Sequence, residues 1–282
     1  MRKPEWFKTR SLRNESFHSV NHLIKDLSLH TVCEEANCPN RTECYSHQTA
    51  TFMILGSHCT RNCTFCNVTK GSPEPVSLEE PASIAKAVSL LHLRHAVITS
   101  VTRDDLPDSG ANHFARVIRA IRSVDPSVTI EVLIPDVKGE WDHLATILNA
   151  SPDILNHNIE TIARLYTAVR PMADYNRSLA LLRQAKIIKP SMVTKSGFML
   201  GLGETKEEVI ALMEDLLAQS VDILTIGQYL QPSQEHYPVF AYINPKEFEA
   251  YTLLGEKMGF RQVVSSPLTR SSYHAGDFFK SP

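Results

Sequence analysis

The chain reads as an α/β protein: a partial barrel of six β/α units, preceded by an N-terminal extension and followed by a short C-terminal tail. Two observations carry that expectation. From residue 51 onward, short apolar runs rich in β-branched residues alternate with amphipathic stretches of helical period, which is the pattern of βαβ units and a parallel sheet. Six such units are legible, fewer than a closed eight-fold barrel requires. A doubly wound sheet is the alternative use of the same alternation.

The expected strands are Thr51–Leu55, Ala96–Val101, Thr129–Ile134, Ile154–Asn158, Gly197–Gly201 and Ile223–Tyr229. Between them the apolar period predicts helices over Leu78–Leu93, Ala111–Val124, Trp141–Asn149, Asp174–Ile188 and Lys206–Gln219. Leu212, Leu216 and Leu217 read as a core-facing stripe. Pro73, Pro75 and Pro81 punctuate the exit from the cysteine region. The organisation expected is an extension over 1–48, a barrel over 49–264 and a polar tail over 265–282. No low-complexity segment or internal repeat adds to this.

Composition bounds the function. The chain has 282 residues, 43% hydrophobic and 21% charged, enough to bury the core of one large domain. Its 29 basic and 31 acidic residues nearly cancel, which argues against a nucleic-acid partner. No apolar run has the length of a signal peptide or a membrane span, so a cytoplasmic location is expected. There, closely spaced cysteines serve metals more often than disulfides.

All six cysteines lie between Cys33 and Cys66, in two triplets: Cys33-x4-Cys38-x5-Cys44 and Cys59-x3-Cys63-x2-Cys66. Thiolate sulfur is a soft ligand that suits iron–sulfur clusters, zinc and copper(I). The second triplet follows directly on the first expected strand, at the end where barrel enzymes keep their chemistry. Zinc could use Cys63 and Cys66 with His58 nearby, but no second Cys-x2-Cys pair completes that pattern. For the first triplet alone, structural zinc stays an open alternative.

The spacing of the second triplet, with Phe65 before its last cysteine, is similar to the radical S-adenosylmethionine (SAM) signature. That resemblance implies three thiolates on a [4Fe–4S] cluster whose fourth iron is left for SAM. The wider sequence is identified as resembling the lipoyl synthase family. The likeness rests on CEEANCPNRTEC, TATFMILG, CTRNCTFC, TSVTRDDLPDSGA, EVLIPD, HNIET, SGFMLGLGET, LTIGQYLQPS and RSSYHA, in order over nearly the whole chain.

The resemblance implies a sulfurtransferase that inserts two sulfur atoms, at C6 and C8 of an octanoyl group on the lysine of a lipoyl carrier domain. It implies two [4Fe–4S] clusters and SAM. Cys59, Cys63 and Cys66 would hold the SAM-binding cluster. Cys33, Cys38 and Cys44 would hold an auxiliary cluster that donates sulfur, with Ser272 of Arg270-Ser271-Ser272-Tyr273 as its fourth ligand. A serine oxygen is harder than a thiolate and mismatched to a soft cluster, which would ease its release. Partners implied are octanoylated 2-oxoacid dehydrogenase E2 subunits and glycine cleavage H protein, an electron donor such as ferredoxin or flavodoxin, and an iron–sulfur carrier protein.

For SAM itself, the candidates at strand ends are Ser100, Asn158, Glu160 and Arg170: ribose hydroxyls for Asn158 or Glu160, the methionyl carboxylate for Arg170. The glycine-rich 197–203 stretch is a weaker candidate for an adenine approach. Asp104 and Asp105 are adjacent, so their side chains should diverge rather than work as an acid–base pair. Gly56, Arg61 and Asn62 are expected to shape the cysteine loop. Gln48, Ser109 and Ser266 stand where the family often has glycine. Two other readings remain at this level: a radical SAM enzyme of other specificity with an electron-transfer auxiliary cluster, and a non-catalytic metal or iron–sulfur binding protein.

Overall fold

The structure is a computed structural model that describes residues 3–7, 14–47 and 49–273. Gln48 and the parts of the expected arm and tail at 1–2, 8–13 and 274–282 lie outside the described residues. The strands neighbour one another in chain order. Two compact units divide the chain: one of residues 14–61 and 67–155, the other of residues 3–7, 62–66 and 156–273.

The first unit begins with α1 (Glu15–Asp26), β1 (His30–Thr31) and two short helices, α2 (Val32–Glu35) and α3 (Arg41–Ser46). It continues through β2 (Thr51–Ile54), α4 (Glu80–Leu90), β3 (His95–Ser100), α5 (Ala111–Val124), β4 (Thr129–Leu133), α6 (Trp141–Asn149) and the start of β5 (Ile154–Asn156). Neighbours β2–β3 and β3–β4 are parallel, in register Thr51↔Val97 and His95↔Thr129. Every residue of β2 is buried, as the strands of a covered parallel sheet require. Helix α5 buries Phe114, Val117, Ile118 and Ile121 on one stripe, the i, i+3, i+4, i+7 period of an amphipathic helix. Its bounds and those of α6 are the ones the sequence predicts.

The second unit holds α7 (Tyr166–Val169), α8 (Tyr175–Ile188), β6 (Val193–Leu200), α9 (Lys206–Ala218), β7 (Ile223–Gln228), α10 (Pro245–Met258) and β8 (Gln262–Ser265). Strands β6, β7 and β8 are parallel neighbours. Asp174 caps α8 by accepting from Arg177 N at 2.7 Å. Thr205 and Glu208 form a reciprocal capping box on α9, satisfying two N–H groups that the first turn would otherwise orphan. Leu212 and Leu216 are buried in the core with Phe198, Leu224, Ile226 and Phe248, and Leu217 packs at its edge.

Several elements depart from the sequence expectation. Helices α1 and α10 and strands β1 and β8 carry weak local signals. β1 is only two residues long and exists because His30 and Thr31 pair antiparallel with Met53 and Phe52. β8 pairs Val263 with Leu224 and ends at Ser265, at the close of the expected barrel, in a stretch for which the sequence predicts no strand. β6 begins four residues ahead of Gly197, because Thr194, Lys195 and Ser196 are buried despite their polarity. Helix α4 is shorter than expected: Pro81 sits in its first turn and Leu91 closes it.

Candidate active site

The cysteine loop starts at a sharp reversal. Leu55 and Gly56 follow β2 with φ of 70° and 93°, a conformation that favours glycine. A Cβ on Gly56 would lie 2.5 Å from Glu74 Oε2, so only glycine leaves that carboxylate its place. Leu55 is held by Glu80, which accepts its N–H at 3.0 Å, and by Arg103 Nη1, which donates to its carbonyl at 3.0 Å.

Cys59 then enters a short ladder with 69–71: its N–H donates to Thr69 O at 2.8 Å and its carbonyl accepts from Gly71 N at 3.1 Å. Its Sγ accepts two backbone N–H groups, from Arg61 and from Thr102, each at 3.4 Å. Thr60 N and Oγ1 both donate to Thr102 O, at 3.1 and 2.9 Å. Two N–H donors thus converge on one sulfur, the arrangement that supports a metal-bound thiolate.

In the second unit, Cys63 and Cys66 flank Thr64, whose N–H and hydroxyl donate to Val169 O and Ala168 O at 3.0 and 2.8 Å. Tyr237 N donates to Thr64 O at 2.9 Å. His236 Nε2 donates to the Cys66 carbonyl at 3.2 Å. No local motif marks this histidine, which lies in a polar loop. Phe65 packs against the unit's core, which accounts for an aromatic before the last cysteine.

The first triplet sits on the helical module ahead of β2. Cys33 is buried in α2, whose N-cap Thr31 accepts from Glu34 N at 3.3 Å. Cys38 donates its N–H to Cys33 O at 3.1 Å, and Cys44 lies in α3. Tyr45 anchors α3: it is fully buried, its hydroxyl is 2.7 Å from Thr31 Oγ1, and its ring packs on Phe17 of α1. Through β1 the module is tied to β2, the strand that leads into the cysteine loop. Asn67 Nδ2 donates to Glu35 O at 2.9 Å, so the loop's exit is tied to the same module.

Burial, joined by repulsion from Cys38, pushes the Cys33 thiol up to about 11. Burial, joined by Cys33 and Cys38, also raises the Cys44 thiol. Burial and neighbouring sulfur charge thus disfavour ionised Cys33 and Cys44 on their own, and a cationic group bound there would offset both effects. All six cysteines are free thiols. Among the described residues, no three His, Cys, Asp or Glu side chains converge on one metal ion. A [4Fe–4S] cluster does not ask for that, because each thiolate takes a different iron. The donor chemistry therefore fits such a cluster at either triplet.

The second unit brings Asn158, Glu160 and Arg170 together. Arg170 Nη1 donates to Asn158 O at 3.0 Å, to Ile159 O at 3.3 Å and to Tyr166 Oη at 2.6 Å. Glu160 has φ of 68°. Burial raises its carboxyl, against the opposing charge of Arg170 and a hydrogen bond from Asn158. Gly197 faces this group: a Cβ there would lie 2.3 Å from Thr225 Oγ1 and 3.1 Å from Asn158 Oδ1. Asn158 Oδ1 is itself buried with no hydrogen-bond partner among the described residues. That acceptor fits a ribose hydroxyl of SAM.

Ser100, at the end of β3 in the first unit, also buries a hydroxyl without a partner among the described residues. Ser272 lies in the turn after β8 that Tyr273 N closes onto Arg270 O at 3.0 Å. The 269–270 backbone runs against β7 at Gly227, where a Cβ would come within 2.1 Å of Thr269 O. Asp104 and Asp105 diverge as expected, the first to Arg61 and the second to Arg103.

Fold and cysteine loop together define a radical SAM enzyme, and the radical SAM superfamily is matched over residues 53–216. The N-terminal domain of lipoyl synthase is matched over residues 1–38. Lipoyl synthase of Caldanaerobacter subterraneus subsp. tengcongensis is 53% identical over 98% of this chain and 96% of its own length. That of Rubrobacter xylanophilus is 55% identical over 97% and 85%. The chain belongs to the lipoyl synthase family. Among solved structures, the FeFe-hydrogenase maturase HydG from Carboxydothermus hydrogenoformans superposes with a TM-score of 0.64 at 17% identity, over 80% of this chain and 54% of that one. Methylornithine synthase does so with a TM-score of 0.57 at 14% identity, over 96% and 86%. At such identities these two speak for the fold alone, an α/β barrel of the TIM type, as the alternation predicts. SAM and [4Fe–4S] clusters come with the family.

Proposed function

We propose that this chain makes lipoyl groups by dividing the work between its two triplets. Cys59, Cys63 and Cys66 hold the cluster that binds SAM, while Cys33, Cys38, Cys44 and Ser272 hold the auxiliary cluster. The observation that carries this reading is the different support of the two triplets. Cys59 hangs from the end of a barrel strand with two N–H groups on its sulfur, whereas the first triplet rides on a separate helical module.

Held by these residues, SAM and the clusters would supply the radical chemistry and the sulfur for C6 and C8 of the octanoyl chain. The residues do the rest. Asn158 Oδ1 offers an acceptor to ribose, and Ser100 a hydroxyl to the same cofactor. Arg170 holds the 158–160 backbone in place, and through it Glu160. This supporting role adds to the carboxylate contact expected of Arg170.

The substrate is an octanoylated lipoyl carrier protein. We assign E2 subunits and the glycine cleavage H protein as its forms, ferredoxin or flavodoxin as donor, and an iron–sulfur carrier for renewal of the auxiliary cluster. Among the described residues no helix is long and apolar enough to cross a membrane, which supports a cytoplasmic setting. The sequence organisation, extension, barrel and tail, is retained as a proposal.

Anaerobic reconstitution with reductant, SAM and an octanoyl-lysyl peptide tests the reading. It requires 5′-deoxyadenosine together with a dithiolated product, limited to about one turnover. Deoxyadenosine without sulfur transfer would point instead to another radical SAM specificity, and zinc without SAM cleavage to a binding protein.

A further inference from the structure

We propose that Arg61, clamped between Asp104 and Asp136, is a positioning residue that pre-forms the Cys59 end of the cysteine loop and raises the reduction potential of the cluster bound there. This rests on the assignment of Cys59 to the SAM-binding cluster. Arg61 stands between two cysteines, yet its side chain is turned into the protein and only 4% exposed. Its Nε and Nη2 make a bidentate fork with Asp104, at 2.7 and 3.0 Å, and Nη2 also donates to Asp136 Oδ1 at 2.6 Å. Asp136 is fully buried. The two carboxylates come from the segments that follow β3 and β4, so one guanidinium staples the cysteine loop to two strand ends. Planar bidentate pairing fixes direction as well as distance.

The staple acts on the sulfur through the backbone. With Arg61 held by Asp104, and Thr60 Oγ1 accepting Asp104 N at 3.1 Å, the segments 59–61 and 102–104 are locked side by side. Both N–H groups that reach Cys59 Sγ belong to this locked pair, Arg61 N and Thr102 N. Hydrogen bonds to cluster sulfurs stabilise the more negative, reduced state and move the potential upward. The hydrogen bonds of the Arg61 side chain go to Asp104 and Asp136, not to the sulfur. Its effect is to keep two donors aimed before the cluster arrives.

The test compares the full chain with Asp104→Asn, Arg61→Lys and Arg61→Ala. Asp104 is the more exposed partner, at 23%, so its amide variant decides the matter even where the lysine variant does not fold. In metal-free protein, hydrogen exchange at the Arg61 and Thr102 amides should accelerate at least tenfold in each variant. In anaerobically reconstituted protein of normal iron content, an EPR-monitored redox titration should follow the part of the signal that SAM perturbs. Its midpoint should move negative by about 59 mV for each tenfold loss of the reduced form at fixed potential. Deoxyadenosine formation should fall with it while KM for SAM is retained, and Arg61→Lys should lie closer to the parent than Arg61→Ala.

Unchanged exchange at both amides would overturn the proposal, as would an unchanged midpoint at full iron content. An equal shift in the signal that SAM leaves alone would do the same. If the parent shows no SAM-perturbed signal, the cluster assignment fails instead, and the exchange data on metal-free protein still judge the staple.

Discussion

The side-chain amide of Asn158 donates to Ser271 Oγ at 3.1 Å, across 113 residues of chain. One end of this bond belongs to the residues expected to grip SAM, and the other lies beside Ser272. The proposed cofactor contact and the Arg270–Tyr273 motif thus share a side chain. The other atom of the same amide, Oδ1, is the buried acceptor that faces Gly197.

Replacing Asn158 by alanine removes the bond to Ser271 and the acceptor proposed for SAM. Loss of one neutral hydrogen bond to SAM is worth roughly 1–1.5 kcal/mol, so SAM affinity should weaken about tenfold. Asn158→Asp keeps the acceptor and should lose less. Equilibrium binding of SAM to the reconstituted variants decides this, and equal affinities in all three proteins would remove Asn158 from the site.

Cys38→Ala should retain deoxyadenosine formation and lose sulfur insertion, whereas Cys63→Ala should lose both. Chromatography of the nucleoside product alongside mass spectrometry of the octanoyl peptide separates the two. Matching losses in both variants would contradict separate duties for the triplets.

Ser109 is an L-residue held at φ of 52°, buried, with a hydroxyl that lacks a partner among the described residues. Left-handed backbone costs a side chain about 1–2 kcal/mol, while glycine gives back about 0.5–1 kcal/mol in unfolded-state entropy. Ser109→Gly should therefore stabilise by about 1 kcal/mol, or ~2 °C in Tm. Calorimetry of the metal-free chain measures it.

Glu208 pairs with Arg164 and caps α9, and these bonds, led by that from Arg164, lower its carboxyl from 4.5 to about 2. A depressed carboxylate stabilises the fold above its unfolded pKa and loses that contribution as pH falls through the folded one. The pair lies at the surface, so screening limits it to about 1 kcal/mol. Glu208→Gln should melt ~2 °C lower near neutral pH, and the gap should close as pH drops from about 4.5 toward 2. A gap that stays constant with pH would argue against the carboxylate's charge.

Much of the scaffold was legible before any coordinates. The apolar period of Ala111–Val124 and Trp141–Asn149 placed α5 and α6 at their observed bounds. Periodicity suffices where a helix buries one stripe of its own residues. It fails for His30–Thr31, a strand only by virtue of Phe52 and Met53. It fails again at Lys195, whose buried position runs against the usual exposure of its type.

By itself the sequence determined the α/β alternation, the two cysteine triplets and the family, because each is written in local order and spacing. Tertiary structure alone decided that Arg61 faces Asp104 and Asp136 rather than solvent, that His236 meets Cys66, and that Asn158 reaches Ser271. Those partners stand 75, 170 and 113 residues apart. No local period encodes such a meeting; it follows from which strand ends the folded chain sets side by side, and from the cost of leaving a buried polar group unpaired.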